Sequence, residues 1–187
     1  VTDNTIDVTG NGYAYALMTN FCENITISGN DIKSTGNNYA NGVQVGGDST
    51  GVVDNNNISA KATNVTYPVY FDDYGSDSEV NLTNNNVTGE SDTVYGVYVE
   101  ENKTLISNNN ISVNGNHVYG VITHQTDVVI DGNDIEANGK DTGSIVSPQS
   151  GVNENTTGII VSEGSAKITN NNVVTTGQSA IAAVNTN

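Results

Sequence analysis

An asparagine stands two positions before each of seven apolar residues that recur along this chain after an Asn-rich turn, at Asn4–Ile6, Asn30–Ile32, Asn56–Ile58, Asn85–Val87, Asn109–Ile111, Asn133–Ile135 and Asn171–Val173. The apolar anchors follow one another at intervals of 26, 26, 29, 24, 24 and 38 residues. From the second unit on, the residue five before the anchor is also apolar: Ile27, Val53, Leu82, Ile106, Ile130 and Ile168. A third segment follows each anchor at a looser interval: YAYAL (13–17), NGVQV (41–45), YPVYF (67–71), YGVYV (95–99), YGVIT (119–123), TGIIV (157–161) and SAIAA (179–183). Each unit thus holds three short strands, none long enough to keep a sheet alone. Stacked on its equivalent in the next unit, each strand joins a parallel sheet. The pattern predicts an all-β chain, a parallel β-helix solenoid of about seven coils in a single domain over 1–187.

The asparagines have distinct jobs in such a coil. The tight turn before the anchor strand needs a residue that tolerates a left-handed backbone, which Asn and Gly do. Gly29 and Gly132 stand beside that turn in two units. The asparagine two before the anchor is expected to point inward, its amide bonded to the rungs above and below. Asn30, Asn56, Asn85, Asn109, Asn133 and Asn171 would form this ladder, which removes the cost of burying an unpaired amide. The remaining asparagines of each cluster are expected to face water.

Composition agrees with this. The chain has 31 asparagines, 20 glycines, three leucines and no tryptophan, which favours strands and turns over helix. A net charge of −16 with no arginine and five lysines argues against nucleic acid and anionic lipid as partners and suits salty or calcium-containing surroundings. Cys22 has no partner for an intrachain disulfide and reads as a small buried apolar residue. No run of about 18 apolar residues exists, so no membrane insertion is expected. The chain starts at VTDNTI and stops at AAVNTN in mid-pattern, and reads as a piece of a longer one.

On these motifs, the inward Asn after a tight turn above all, the repeat resembles the right-handed parallel β-helix of pectate-lyase-like proteins. The low-lysine style rich in Asn, Ile, Val and Thr is similar to the adhesin-like surface proteins of methanogenic archaea. The resemblance covers essentially the whole chain. It implies a right-handed coil, as parallel crossovers favour, and an extracellular or cell-surface setting. The fold itself hosts lyases, hydrolases, adhesins and stalks.

Three stretches read as long connections: SAKATNVTYP (59–68), DDYGSDSE (72–79) and ANGKDTGSIVSPQSGVNENTTG (136–157). In the third strand, Val69, Val97, Val121 and Ile159 are expected inside, with Tyr70, Tyr98, Ile122 and Ile160 outside. Asp72, Glu100 and His124 then fall in one column of neighbouring coils. In the resembled family this sheet carries the active sites. Three readings of the face stay open. An enzyme would use Asp72, Asp73, Glu100 and His124, since adjacent coils could hold two carboxylates about 5–5.5 Å apart, as in retaining glycosidases. Against it, the resembled enzymes also use an arginine on this sheet, and this chain has none. A binding surface would use Tyr70, Tyr98, Asp72, Glu100 and His124 to meet a carbohydrate or another cell-surface partner. The third reading is an ordinary solvated acidic face. The tyrosines Tyr67, Tyr95 and Tyr119, echoed by Tyr13, read as corner packing. His117 reads as a loop residue of no special role. No cofactor is implied. Calcium could be held by the carboxylates, although the acidic loop lacks an EF-hand spacing.

Eight Asn-x-Ser/Thr triplets occur, at Asn24, Asn57, Asn64, Asn81, Asn86, Asn102, Asn110 and Asn155. Asn64, Asn102 and Asn155 fall in predicted loops and are the glycosylation candidates. The sequence therefore supports an adhesin-like surface solenoid that presents its Tyr/acid face and loops. A polysaccharide lyase or glycoside hydrolase is the alternative. A passive stalk or filament subunit formed by end-to-end self-association is the other.

Overall fold

The computed structural model describes residues 1–72, 78–101, 103–140, 156–177 and 180–186. All regular structure there is β, in three parallel sheets. The anchor sheet has seven strands, from Thr5–Gly10 through Asp31–Gly36, Asn57–Lys61, Asn86–Glu90, Asn110–Gly115 and Asp134–Gly139 to Asn172–Thr176. The tyrosine sheet also has seven, from Tyr13–Asn20 through Tyr39–Gly46, Val65–Asp72, Thr93–Glu100, His117–His124 and Thr156–Ser162 to Ala180–Thr186. Six strands make the third sheet: Ile25–Ser28, Thr50–Asp54, Glu79–Thr83, Thr104–Ser107, Asp127–Asp131 and Ser165–Thr169. Every strand pairs with its equivalent in the next coil, so the chain is a parallel β-solenoid.

The register follows the repeat. Ile6, Ile32, Ile58, Val87, Ile111, Ile135 and Val173 lie opposite one another down the anchor sheet. Ile27, Val53, Leu82, Ile106, Ile130 and Ile168 do the same in the six-stranded sheet. These columns, with Val43, Val69, Val97, Val121 and Ile159 of the tyrosine sheet, fill one continuous lumen, except that Ile168 at the end of its column is exposed. Burying each Ile or Val removes about 1.5–3 kcal/mol of apolar exposure. Alternation explains the choice: a register slip of one residue would turn every inward side chain to water.

Each tight turn uses one left-handed residue followed by one inward Asn. The left-handed positions are Asp3, Gly29, Asn55, Asn84, Asn108, Gly132 and Asn170, with φ between 53° and 69°. The inward Asn follows at once. Asn4 Nδ2 donates to Asn30 Oδ1, and the same bond recurs from Asn30 to Asn56, Asn56 to Asn85, Asn85 to Asn109, Asn109 to Asn133 and Asn133 to Asn171, at 2.9–3.1 Å. Each acceptor oxygen also takes the backbone N–H of the preceding rung, for instance Asn85 N to Asn109 Oδ1 at 2.9 Å. The asparagine triplet of the sequence is thus one turn residue, one ladder residue and one outward residue.

The strands of the tyrosine sheet bend at Gly42, Pro68, Gly96, Gly120 and Gly158, the positions skipped by the ladder of paired residues. Proline fits there because it has no N–H to give. A Cβ on Gly120 would stand 2.5 Å from Gly158 O and 2.6 Å from Ile135 Cγ2, so the bend leaves no room for a side chain. Tyr67, Tyr95 and Tyr119 directly precede it.

Several expectations need correction. The third segment slips by two residues in the first and last coils: Leu17, not Tyr15, lies opposite Val43, and Ala183 lies opposite Ile159. A two-residue slip keeps the inside–outside pattern, so alternation could not reveal it. Tyr13 consequently lies opposite Tyr39 and not in the Tyr67 column. The stretch 59–68 is no long connection, because Asn57–Lys61 and Val65–Asp72 are strands and only 62–64 joins them. His117 opens a strand and is buried. Cys22 is only half-buried, with its Sγ 3.2 Å from Asn20 O. The stretches 73–77 and 141–155 lie outside the described residues, so most of the two other predicted loops does too.

Candidate functional site: an aromatic and acidic strip

Eight of the nine tyrosines gather on the outer face of the tyrosine sheet. Their ring contacts run without a break from Tyr13 and Tyr15 through Tyr39 to Tyr67, Tyr95 and Tyr119, with Tyr70 and Tyr98 alongside. Sequence repetition causes this. Outward residues at equivalent positions in a parallel stack come about 4.8 Å apart, close enough for rings to touch.

The strip is not uniform. Tyr67 and Tyr95 stack at 4.7 Å with 14° between planes, and Tyr95 and Tyr119 at 5.2 Å with 12°. Those ring faces cover one another, which leaves Tyr67 and Tyr95 only partly open to a ligand and Tyr119 closed to it. Tyr13 and Tyr15 are tilted 39° and 37° from Tyr39 and are 68% and 43% exposed. Met18 and Phe21 extend the open end. At the other end Tyr98, Tyr119, Ile122 and Ile160 form an apolar cluster of their own outside the lumen, and all four are buried. The residues expected to point outward therefore do so, but Tyr98 is only 7% exposed.

The acidic column forms as the repeat predicts. Asp72 lies opposite Glu100, and Glu100 opposite His124. The column is less open than expected, since Asp72 is 9% exposed and Glu100 and His124 are half-buried. Tyr70 Oη lies 3.4 Å from Glu100 Oε2 and donates to it. Burial pushes the Tyr70 phenol well above its ordinary value, and the carboxylates of Asp72 and Glu100 push it the same way. Burial does the same for Tyr67, and more mildly for Tyr39 and Tyr95. These phenols are therefore donors at any ordinary pH. The Nδ1 of His124 is buried without a hydrogen-bond partner among the described residues. The arrangement offers phenol donors, carboxylate acceptors and open ring faces within one strip.

Asp73 lies outside the described residues, as do Asn102 and Asn155. Asn64 is exposed in a bend. Among the described residues no group of three or more His, Cys, Asp and Glu side chains gathers as it would around a metal ion. No helix among them is long and apolar enough to cross a membrane. A separate concavity of about 550 Å³ lies on the outer face of the six-stranded sheet, over Leu105 and Val129 and flanked by Glu79, Lys103, Asp127 and Lys167. It shares no residue with the acidic column. Among the described residues, aromatic faces and hydrogen-bonding groups converge at the column and not at this concavity. Sequence reasoning missed Tyr15 and Tyr39 as members of the strip; the alternation YAY in 13–15 was the available signal.

Fold and strip together define the class: a parallel β-solenoid with an internal asparagine ladder and an external aromatic–acidic strip. No family model, curated protein or solved structure gives a significant match to the chain.

Proposed function

We propose that this chain is a rigid recognition solenoid of a cell surface that meets carbohydrate along its tyrosine sheet, without turnover. One observation carries the reading: the strip passes from open ring faces at Tyr13 and Tyr15 to the Tyr70–Glu100 donor–acceptor pair. Ring faces suit the C–H side of a sugar, and the phenols and carboxylates of Asp72 and Glu100 suit its hydroxyls. His124 and Tyr98 support the strip from its closed end. The resemblance to pectate-lyase-like coils and to methanogen adhesin-like proteins favours the same setting. Screening the protein against neutral and acidic glycans, with product analysis and with or without calcium, tests it. Binding without product, weakened at least tenfold in Tyr15→Ala, is the expected result. Product release that stops in Glu100→Gln would replace this reading with the hydrolase or lyase one. Silence in both assays would remove it.

The inner ladder favours a second reading, a filament built end to end. Every side-chain bond from one rung to the next runs from Nδ2 to the Oδ1 of the later coil, so Asn171 presents its backbone N–H away from Asn133 while Asn4 presents Oδ1 at the other end. A coil of the same kind would continue the ladder at either face. Sedimentation across a hundredfold concentration range tests this, and a species that stays monomeric throughout would dismiss it.

A further inference from the structure

We infer that, among the triplets whose asparagine is described, Asn24 is the Asn-x-Ser/Thr site which this fold keeps open to N-glycosylation, and that the repeated triplets at Asn57, Asn86 and Asn110 are closed to it. The inference rests on the surface setting proposed above for its biological use, but not for its selectivity.

The repeated triplets arise from the coil itself. Asn57-Ile-Ser59, Asn86-Val-Thr88 and Asn110-Ile-Ser112 place asparagine and hydroxyl on the outer face of consecutive anchor strands. Their amides are already engaged: Asn57 Nδ2 donates to Asp31 Oδ1 at 2.8 Å, Asn86 Nδ2 to Asn57 Oδ1 at 2.9 Å and Asn110 Nδ2 to Asn86 Oδ1 at 3.0 Å. The Thr88 hydroxyl leans 3.4 Å from Ile58 O. Glycans on these three would also crowd one another, because adjacent coils stand only about 4.8 Å apart. Asn81 is held differently, its Oδ1 accepting Leu105 N at 3.0 Å. At Asn64 the amide is exposed, but the hydroxyl of the triplet is not: Thr66 is fully buried, with its Oγ1 2.9 Å from Ser91 Oγ.

Asn24 differs from all of them. It sits in the bend between Tyr13–Asn20 and Ile25–Ser28, at φ 56°, a conformation asparagine tolerates well. Asn24 and Thr26 are both exposed, and neither side chain has a hydrogen bond among the described residues. A transferase can therefore reach acceptor amide and recognition hydroxyl together on the folded protein. In the transfer a bond forms between Asn24 Nδ2 and the anomeric carbon of a lipid-linked oligosaccharide. The lipid phosphate or pyrophosphate leaves with the bonding electrons, and the amide gives up one proton.

The test treats the folded chain, and separately the urea-unfolded and diluted chain, with an oligosaccharyltransferase and a lipid-linked oligosaccharide, and maps sites by peptide mass spectrometry. The folded chain should carry one glycan among the described triplets, at Asn24, and lose it in Thr26→Ala, which keeps the turn asparagine. The unfolded chain should gain occupancy at Asn64. Occupancy of Asn57, Asn86 or Asn110 on the folded chain, or none at Asn24 in either form, overturns the inference. Ligand binding by the strip is measured on unmodified protein, so failure there would be separate.

Discussion

Asn85 and Asn86 are neighbours in sequence and face opposite sides of one backbone. Each belongs to a column of amides that bond from coil to coil, yet the columns differ in almost every physical respect. The inner amide is buried, and its oxygen takes both a side-chain and a backbone donor. That double acceptance fixes which end is oxygen, because a flipped amide would set a donor against the backbone N–H. The outer amide is exposed and bonds toward the preceding coil, the opposite direction, with water ready to replace every bond. The same residue at the same spacing thus specifies the fold on one side and merely decorates it on the other. What decides is access to water, since an unmet hydrogen bond is costly only where water cannot answer it.

Truncating the inner ladder should give the largest effect. Asn109→Ala takes from Asn85 N and Asn85 Nδ2 their shared acceptor, leaving Nδ2 only its carbonyl partners, and takes a donor from Leu82 O and from Asn133 Oδ1. We expect a loss of about 3–4 kcal/mol in urea unfolding. A loss no larger than that of an outer asparagine would break the distinction.

A crowded bend should come next. Gly120→Ala inserts a methyl against Gly158 O and Ile135, and overpacking of this kind costs about 1–3 kcal/mol. Gly12, whose Cβ would meet nothing, should accept alanine with little change.

The outer tyrosines add a pH signature that neither ladder has. Tyr67 and Tyr70 are held neutral above the ordinary phenol value of 10.0 by burial. A raised folded value means the contribution is complete below about pH 10 and is lost as pH climbs through the folded values. With the exposed Tyr13 and Tyr15 changed to Phe, tyrosinate absorbance should therefore rise mainly together with loss of the β circular dichroism signal, in a steep transition above pH 10. A gradual rise while the fold persists would show the phenols to be open.

The fold was legible because its cause is periodic. Seven asparagines two before an anchor set coil number, register and the inner ladder. The outer ladder was not seen, since an exposed asparagine that bonds its neighbour looks in sequence like one that bonds water. The acidic column Asp72–Glu100–His124 followed from register alone, but its degree of burial did not, because exposure depends on what lies over the sheet and not on alternation within it. The tyrosine strip was half legible. Tyr67, Tyr95 and Tyr119 share a column in the repeat, whereas Tyr39 joins them from a column two residues nearer the start of its strand, through ring size and not position.

The smallest expected effect is the most discriminating. Asn86→Ala removes a donor to Asn57 Oδ1 and an acceptor for Asn110 Nδ2, so on paper it deletes as many side-chain links between rungs as Asn85→Ala. If bonds along a stack stabilise by their number, both variants should fall together. If the worth of each bond is set by the water that competes for it, Asn86→Ala should stay within about 0.5 kcal/mol of the parent. A loss above 1 kcal/mol at Asn86 would mean that exposed ladders strengthen one another along the stack, and the outer face would then have to be counted as part of what holds the coils together.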